Sequence, residues 1–589
     1  MVFQISGKVL RSSLVPGLAL FISSCSTDHY VRSADNEVHG IIDQNQRVVL
    51  EETPVPLDIS TPFSELNPKY IQPEIIVSER LASEPMRLTL QQAIAISVSN
   101  RREYQSEKET LYLVALDLTR ARHDYAPKLT SLGSRATYGT AGLKNTSGDF
   151  DSSDRDLAVA NRASFDQTFI TGGALAIDLA QDIFRFYLGG GNPGSTRFLS
   201  ARLTQPLLRG AGAVSNENLT QRERNVAYAV RNFSRFQDTN VIDITTAYFR
   251  ILQEKDRVRN EYESYKNIGV FADRARALAE DRLPRFQLDQ AKQRELQGKA
   301  RYISAINSYK NLVDNFKLTL GLPLGGELIL DDAPLRSLAE AGLPEIPFDA
   351  DPAFHVAINH RLDLFNDIDR FEDSKRKIQV AADAFKPGLD LFAGIDLDTN
   401  NSTASYSNFD ADAYFTRIGV DLDLPVDNLS ARNDFRRVKI DFERQIRSLS
   451  QSLDRIHADL RSGLRGLELS RETYTIQNNA LNLANQRVEG ANLLLDAGRA
   501  TTRDLLDAQS DQLTAQNAVT SALVNYHLTR INLLHDMGVF DAALPQFWVK
   551  NPTLPSVKRK EIKMLPVNTA ASERLITPDE LFSETRPRS

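Results

Sequence analysis

The sequence predicts a mostly α-helical, elongated protein with a β-barrel portion and an internal tandem repeat, and three observations carry that expectation. In one stretch Phe435, Val438, Phe442, Ile446, Leu449, Leu453, Ile456, Leu460, Leu464 and Leu467 step by three or four, the spacing of a sustained coiled-coil-like seam. Between Pro387 and Pro425 apolar and acidic residues alternate instead, which is the period of a strand. Arg282, Ala291, Leu296, Ala305, Tyr309 and Gly321 fall 217 positions before Arg499, Ala508, Leu513, Ala522, Tyr526 and Gly538. Unrelated segments do not keep matching at a constant offset.

From the N-terminus, Lys8 and Arg11 precede a short apolar run from Leu14 to Ile22 and then Ser23-Ser24-Cys25. The run is too short to span a membrane as a mature helix and reads as a lipoprotein signal peptide over 1–24. Its end resembles the bacterial lipobox, which implies lipidation of Cys25, the only cysteine in the chain, and Ser26 after it suits outer-membrane delivery. Beyond Cys25 no stretch of about 20 apolar residues follows, so any membrane crossing is expected by strands. Residues 25–85 are polar with scattered prolines and predict an extended lipidated tether.

A first helix is predicted from Leu88 to Tyr125, ending at Ala126-Pro127. Residues 128–205 end in Leu199, Ala201 and Leu203 alternating with Ser200, Arg202 and Thr204. The polar middle of that region and its aromatics Phe184, Phe186 and Tyr187 fit an enlarged loop or an extra hairpin, with the rings either at a membrane interface or packing a loop. Helices follow at about 215–280 and 285–319, parted at Leu283-Pro284. The second half repeats the order, with a helix from about 350 to Phe385, the alternating segment, and helices at about 429–497 and 502–536. The first of these last two would be roughly 100 Å long at about 1.5 Å per residue. Two repeats, 86–325 and 326–540, and a C-terminal periplasmic tail at 541–589 are the predicted division.

In the alternating segment Leu389, Leu391, Ile395, Leu397, Ile418, Val420, Leu422 and Leu424 share one face, and Asp390, Asp396, Asp398, Asp421 and Asp423 share the other. Such a split fits a transmembrane barrel with lipid outside and water inside, which would place the five aspartates in the lumen. A soluble hairpin with its apolar face on a core fits the same pattern, and the expected anchor at Cys25 favours the membrane.

A net charge of −7 gives no basic field for nucleic acid. The eight histidines and one cysteine show no metal-ligand spacing. No Ser/His/Asp or Cys/His arrangement and no phosphate loop stands out, so neither an enzyme nor a cofactor is predicted.

The whole arrangement resembles TolC-type outer-membrane efflux proteins over roughly residues 86–540. The resemblance rests on Leu88-Thr89-Leu90-Gln91-Gln92-Ala93-Ile94, Tyr125-Ala126-Pro127, Gln205-Pro206-Leu207-Leu208-Arg209-Gly210, Arg361-Leu362-Asp363-Leu364 and, most specifically, the run from Gly498 to Gln509. Arg101-Arg102 and Leu362 depart from the family, which usually has proline at these points, and Asp281 stands where the second half has Gly498.

The resemblance implies four transmembrane strands per chain, a 12-stranded barrel in a homotrimer, and long antiparallel helices forming a tunnel across the periplasm. It implies export of small molecules or proteins through the outer membrane, with a periplasmic adaptor and an inner-membrane pump as partners. It assigns Gly498 and Arg499 to an adaptor-contact turn, and Asp504 and Asp507 to a ring at the periplasmic gate. For Asp504 a helix cap with Thr501 competes with the gate role. A lipid-anchored periplasmic coiled-coil scaffold without a pore is the alternative function, although it leaves the two-faced hairpin unexplained.

Overall fold

The structure is a computed structural model that describes residues 27–550 apart from 52, 65, 82–84, 145–149, 189–193, 279–283, 347–348 and 399–413. The expected signal peptide, Cys25, Asp281 and residues 551–589 lie outside the described residues. The described chain is mostly helical with an antiparallel sheet.

Residues 27–49, expected within an extended tether, form helix α1 (Thr27–Val49). Its Val38, Ile41 and Ile42 are buried against Tyr104, Leu111, Val226 and Phe233, and the Tyr112 hydroxyl donates to Asp35 at 2.7 Å. The i, i+3, i+4 spacing of those three aliphatics gives α1 one apolar stripe to bury. A short helix α2 (Pro73–Leu81) leads to β1 (Met86–Leu88), which pairs in parallel with β6 (Leu328–Leu330) and so ties the two halves of the chain together.

The single helix expected from Leu88 to Tyr125 is two, α3 (Leu90–Asn100) and α4 (Arg102–His123). Thr89 and Gln92 form the capping box that opens α3, and an extended Arg101 closes it. The second half breaks in the same way, at an extended Arg361 between α8 (Ala350–His360) and α9 (Leu362–Asp383). Each break abuts a glycine that ends a later helix. A Cβ on Gly321 would lie 2.4 Å from the Asn100 carbonyl oxygen, and one on Gly538 would lie 2.9 Å from the Arg361 nitrogen. Both glycines have φ +72, a conformation that L side chains rarely adopt, and they are 217 residues apart.

The long helices are α5 (Glu217–Leu278), α6 (Arg285–Thr319), α10 (Leu429–Asp496) and α11 (Thr502–Asp536), with α7 (Ala333–Ala341) between the halves. The predicted seam on α10 packs as expected in its middle: Ile456, Leu460 and Leu467 are buried among Ala353, Ala357, Leu364, Tyr526 and Leu533. Nearer the sheet, Phe442 stacks on Phe371 and Phe435 meets Phe385 edge-on. The main core gathers Tyr248, Phe249, Val313, Phe316, Leu523, Val524 and Ile531 around the small parallel sheet. It also takes in Phe547 and Trp548, and the buried Arg530 guanidinium donates to the Val549 and Phe547 carbonyls. Residues 541–550 therefore belong to the packed body and not to a tail.

Among the described residues the antiparallel sheet has six strands in the order β2-β3-β4-β5-β7-β8: Lys128–Lys144, Phe150–Thr168, Ala174–Leu188, Gly194–Pro206, Gly388–Asp398 and Tyr414–Asp423. Four strands per chain were expected. The enlarged first-half region supplies a second hairpin, because its alternation of apolar and polar residues continues through residues 157–182 and keeps the strand period.

Candidate channel wall and mouth

The register of the ladders fixes which residues share a face, since directly paired residues point to the same side of a sheet. Leu132, Ala163, Leu179, Leu199, Leu397 and Tyr414 form one continuous row across all six strands. A second row on that side runs Leu129, Phe165, Ile177, Ala201, Ile395 and Thr416. Leu129, Leu132, Ile418, Val420 and Leu422 on this face are more than half exposed. One polar row, Ser134, Asn161, Gln181 and Arg197, interrupts this face on the first four strands; the rest is an uncovered apolar face that needs an apolar environment.

The opposite face is charged. Asp390 pairs with Asp421, and Asp396 and Asp423 lie on the same side, so the structure brings together four of the aspartates that the sequence singled out, while the side chain of Asp398 lies outside the described residues. Their face is mixed rather than acidic, because the first-half strands place Lys128, Arg135, Arg162, Asp166, Asp178, Asp182 and Arg202 on it. Arg162 grips Asp182 with two nitrogens at 2.6 and 3.1 Å, Arg417 bonds Asp396, and Arg209 reaches Asp423 at 2.5 Å. Sequence reasoning missed the first-half charges, although the alternation at Leu199, Ala201 and Leu203 would have led to them if carried back through residues 157–182.

At the far end of the helices, about 100 Å from the sheet by the length of α10, the chain turns at residues 497–501. Gly498, at φ +69, closes α10 through Arg499 N–H to the Leu494 carbonyl at 2.8 Å, and Gly498 and Arg499 are exposed. Thr501 and Asp504 form a complete capping box on α11. Hydrogen bonds from the Thr501 hydroxyl and backbone N–H hold the Asp504 carboxyl below the usual carboxylate range. Asp507 faces the first half instead, 2.9 Å from Arg294 on α6, with Arg503 at 3.6 Å. The Thr502 hydroxyl meets Gln287 at 3.4 Å. The cap reading of Asp504 thus has its hydrogen bonds, while Asp507 bridges two helices. Among the described residues no group of three His, Cys, Asp or Glu could hold a metal ion, and no helix is long and apolar enough to cross a membrane.

No family model and no curated protein matches the chain. Solved structures do. The chain is similar to the Vibrio cholerae outer membrane protein VceC at 13% identity and TM-score 0.55, covering 76% of this chain and 96% of that one. It is similar to the Campylobacter jejuni CmeC outer membrane channel at 12% and 0.53, covering 77% and 87%. It is similar to the Neisseria gonorrhoeae MtrE outer membrane channel at 14% and 0.54, covering 76% and 89%. The fold is the one shared by TolC-type outer-membrane channels.

Proposed function

We propose that the chain is one third of a homotrimeric duct in the outer membrane that exports small molecules or proteins, working with a periplasmic adaptor and an inner-membrane pump. One observation carries this reading: a sheet with one largely apolar and one charged face, unpaired among the described residues at both edges β2 and β8, continuing into helices of 62 and 68 residues. Open edges are not tolerated in lipid, so the sheet must close on other copies. The charged face, including Asp390, Asp396, Asp398, Asp421 and Asp423, then lines water and the apolar face meets lipid.

Among the described residues the helices also leave apolar positions uncovered that a trimer would cover. Leu469, Ile476 and Leu483 on α10, and Leu296 and Ile303 on α6, are spaced by seven and more than half exposed, the period of an inter-helix seam. Cys25 carries the lipid anchor, Gly498 and Arg499 form the adaptor contact, and Asp504 and Asp507 ring the periplasmic gate. No cofactor or metal takes part. Sedimentation of purified full-length protein and its conductance in planar bilayers test the reading together. A trimer that conducts is the expected result, whereas a trimer that never conducts, even with its mouth loosened, would leave the lipid-anchored scaffold.

A further inference from the structure

The offset between the two halves changes within the strand region. Pro127 and Pro387, each just before a first strand, are 260 apart, whereas Gly321 and Gly538 are 217 apart. The first half therefore holds 43 residues that the second lacks, the span of one hairpin. The matching ends identify it: β2 follows Pro127 as β7 follows Pro387, and β5 runs into Pro206 as β8 runs to Pro425. The additional pair is β3 and β4.

This pair is not an appendage. It lies in the middle of the sheet, laddered to β2 on one side and β5 on the other. Its faces match those of its neighbours, with Phe165, Ile177 and Leu179 on the apolar side and Arg162, Asp166, Asp178 and Asp182 on the charged side. Its turn at 169–173 is docked into the junction between sheet and helices. The Gly212 N–H donates to the Thr171 carbonyl at 3.1 Å, and the Ser215 hydroxyl donates to the Ile170 carbonyl at 2.6 Å. The Tyr125 hydroxyl, at the foot of β2, donates to the Ser215 carbonyl at 2.8 Å. Gly172, at φ +95, sits so close to this linker that a Cβ would lie 2.5 Å from the Gly210 carbonyl oxygen.

From these features we infer that the trimeric barrel has eighteen strands, six from each chain, and is about half again as wide as one with four strands per chain, since diameter grows roughly linearly with strand number. The inference rests on the duct reading above. Six is an even number, so β8 of one copy meets β2 of the next in antiparallel fashion and the alternation of strands closes without a fault. At a tilt of about 40° and a spacing of about 4.8 Å, each strand takes about 6 Å of circumference, and eighteen give a backbone diameter of about 36 Å against about 24 Å for twelve. The membrane segment then admits bulky cargo of polymer or small-protein width, and the size limit of the duct falls at its helical mouth.

Paired cysteines in the full-length chain test the closure. Ile418→Cys on β8 combined in turn with Leu129→Cys, Leu132→Cys or Ala136→Cys on β2 is expected to give disulfide-linked trimers, the three positions covering the stagger of the closing pair. Ile418→Cys with Ile177→Cys or Leu179→Cys on β4 is expected to give none, because β3 and β5 flank β4. Trimers linked through β4, or trimers linked through β2 with twelve rather than eighteen strands counted in end-on electron-microscope images, would mean that four strands per chain form the wall, which overturns the inference and leaves the duct intact. A trimer linked by neither set, with twelve strands counted in end-on electron-microscope images, overturns it equally. A protein that sediments as a monomer would remove the duct reading itself.

Discussion

Arg294 on α6 and Asp507 on α11 lie 2.9 Å apart at the tip of the helical hairpins, joining the first half of the chain to the second. Each is about two-fifths exposed, so the pair adds little to global stability, but it fixes how two neighbouring helix ends sit at the mouth. Asp507→Asn or Arg294→Ala is expected to raise conductance in planar bilayers several-fold, with block by multivalent cations weakened in Asp507→Asn, which loses the carboxylate, and retained or strengthened in Arg294→Ala, which frees it, and with the melting temperature moving by no more than about 2 °C. Unchanged conductance with a clear fall in melting temperature would assign the pair to holding the hairpins together.

Thr501 separates cap from gate at the neighbouring position. Thr501→Ala removes the hydroxyl that bonds Asp504 and is expected to cost about 1 kcal/mol, the usual loss for an N-cap. Cation selectivity should be retained, because the carboxylates remain. Loss of selectivity without loss of stability would show that the hydroxyl belongs to the pore.

One buried and one half-buried histidine make stability depend on pH. Burial, followed by the nearby Arg530, pushes His527 down to about 4. Burial, followed by Arg235 and Arg361, does the same to His535. The unfolded chain binds these protons below about pH 6.5 while the folded chain refuses them until about pH 4. Stability should therefore be full above that window and fall as pH drops through it, by on the order of 3 kcal/mol per histidine. Urea titrations of wild type and His527→Gln from pH 7 to pH 4 check this: the variant should show a shallower decline, and parallel curves would contradict it.

Cys25→Ser is expected to abolish labelling by radioactive palmitate. Equal labelling of wild type and variant would remove the lipid anchor from the account.

Much of the fold was legible because long periodic segments leave little choice. The ten-residue seam from Phe435 to Leu467 fits only a helix of great length, and the alternation around Leu391 and Leu422 fits only strands. Breaks and counts were harder. Arg101 and Arg361 end helices without proline or glycine at the break, and what marks them is tertiary: the Arg101 guanidinium donates to Asn240 and the Arg361 guanidinium to the Asp536 carbonyl. The stretch that became β3 and β4 carries Asn161 and Gln181 on its apolar side, which diluted the strand signal over residues 157–182. Helix α1 was hidden for a similar reason, since its burial depends on a three-residue stripe, Val38, Ile41 and Ile42, within a polar segment. The site followed the same pattern: five aspartates on one short hairpin stood out, while the charges that balance them lay on strands far earlier in the chain and only the ladder register unites them.

The measurement that bears most directly on the duct is thiol accessibility on the two faces of the sheet in assembled protein. Cysteines introduced at Asp396 and Asp421, on the charged face, should react with membrane-impermeant aqueous reagents once the channels are open, and cysteines at Leu391 and Leu422, on the apolar face, should be shielded by lipid. Reactive Leu391→Cys and Leu422→Cys variants beside shielded Asp396→Cys and Asp421→Cys variants would contradict the account, because the apolar face would then cover a protein core and the sheet would enclose no water-filled lumen.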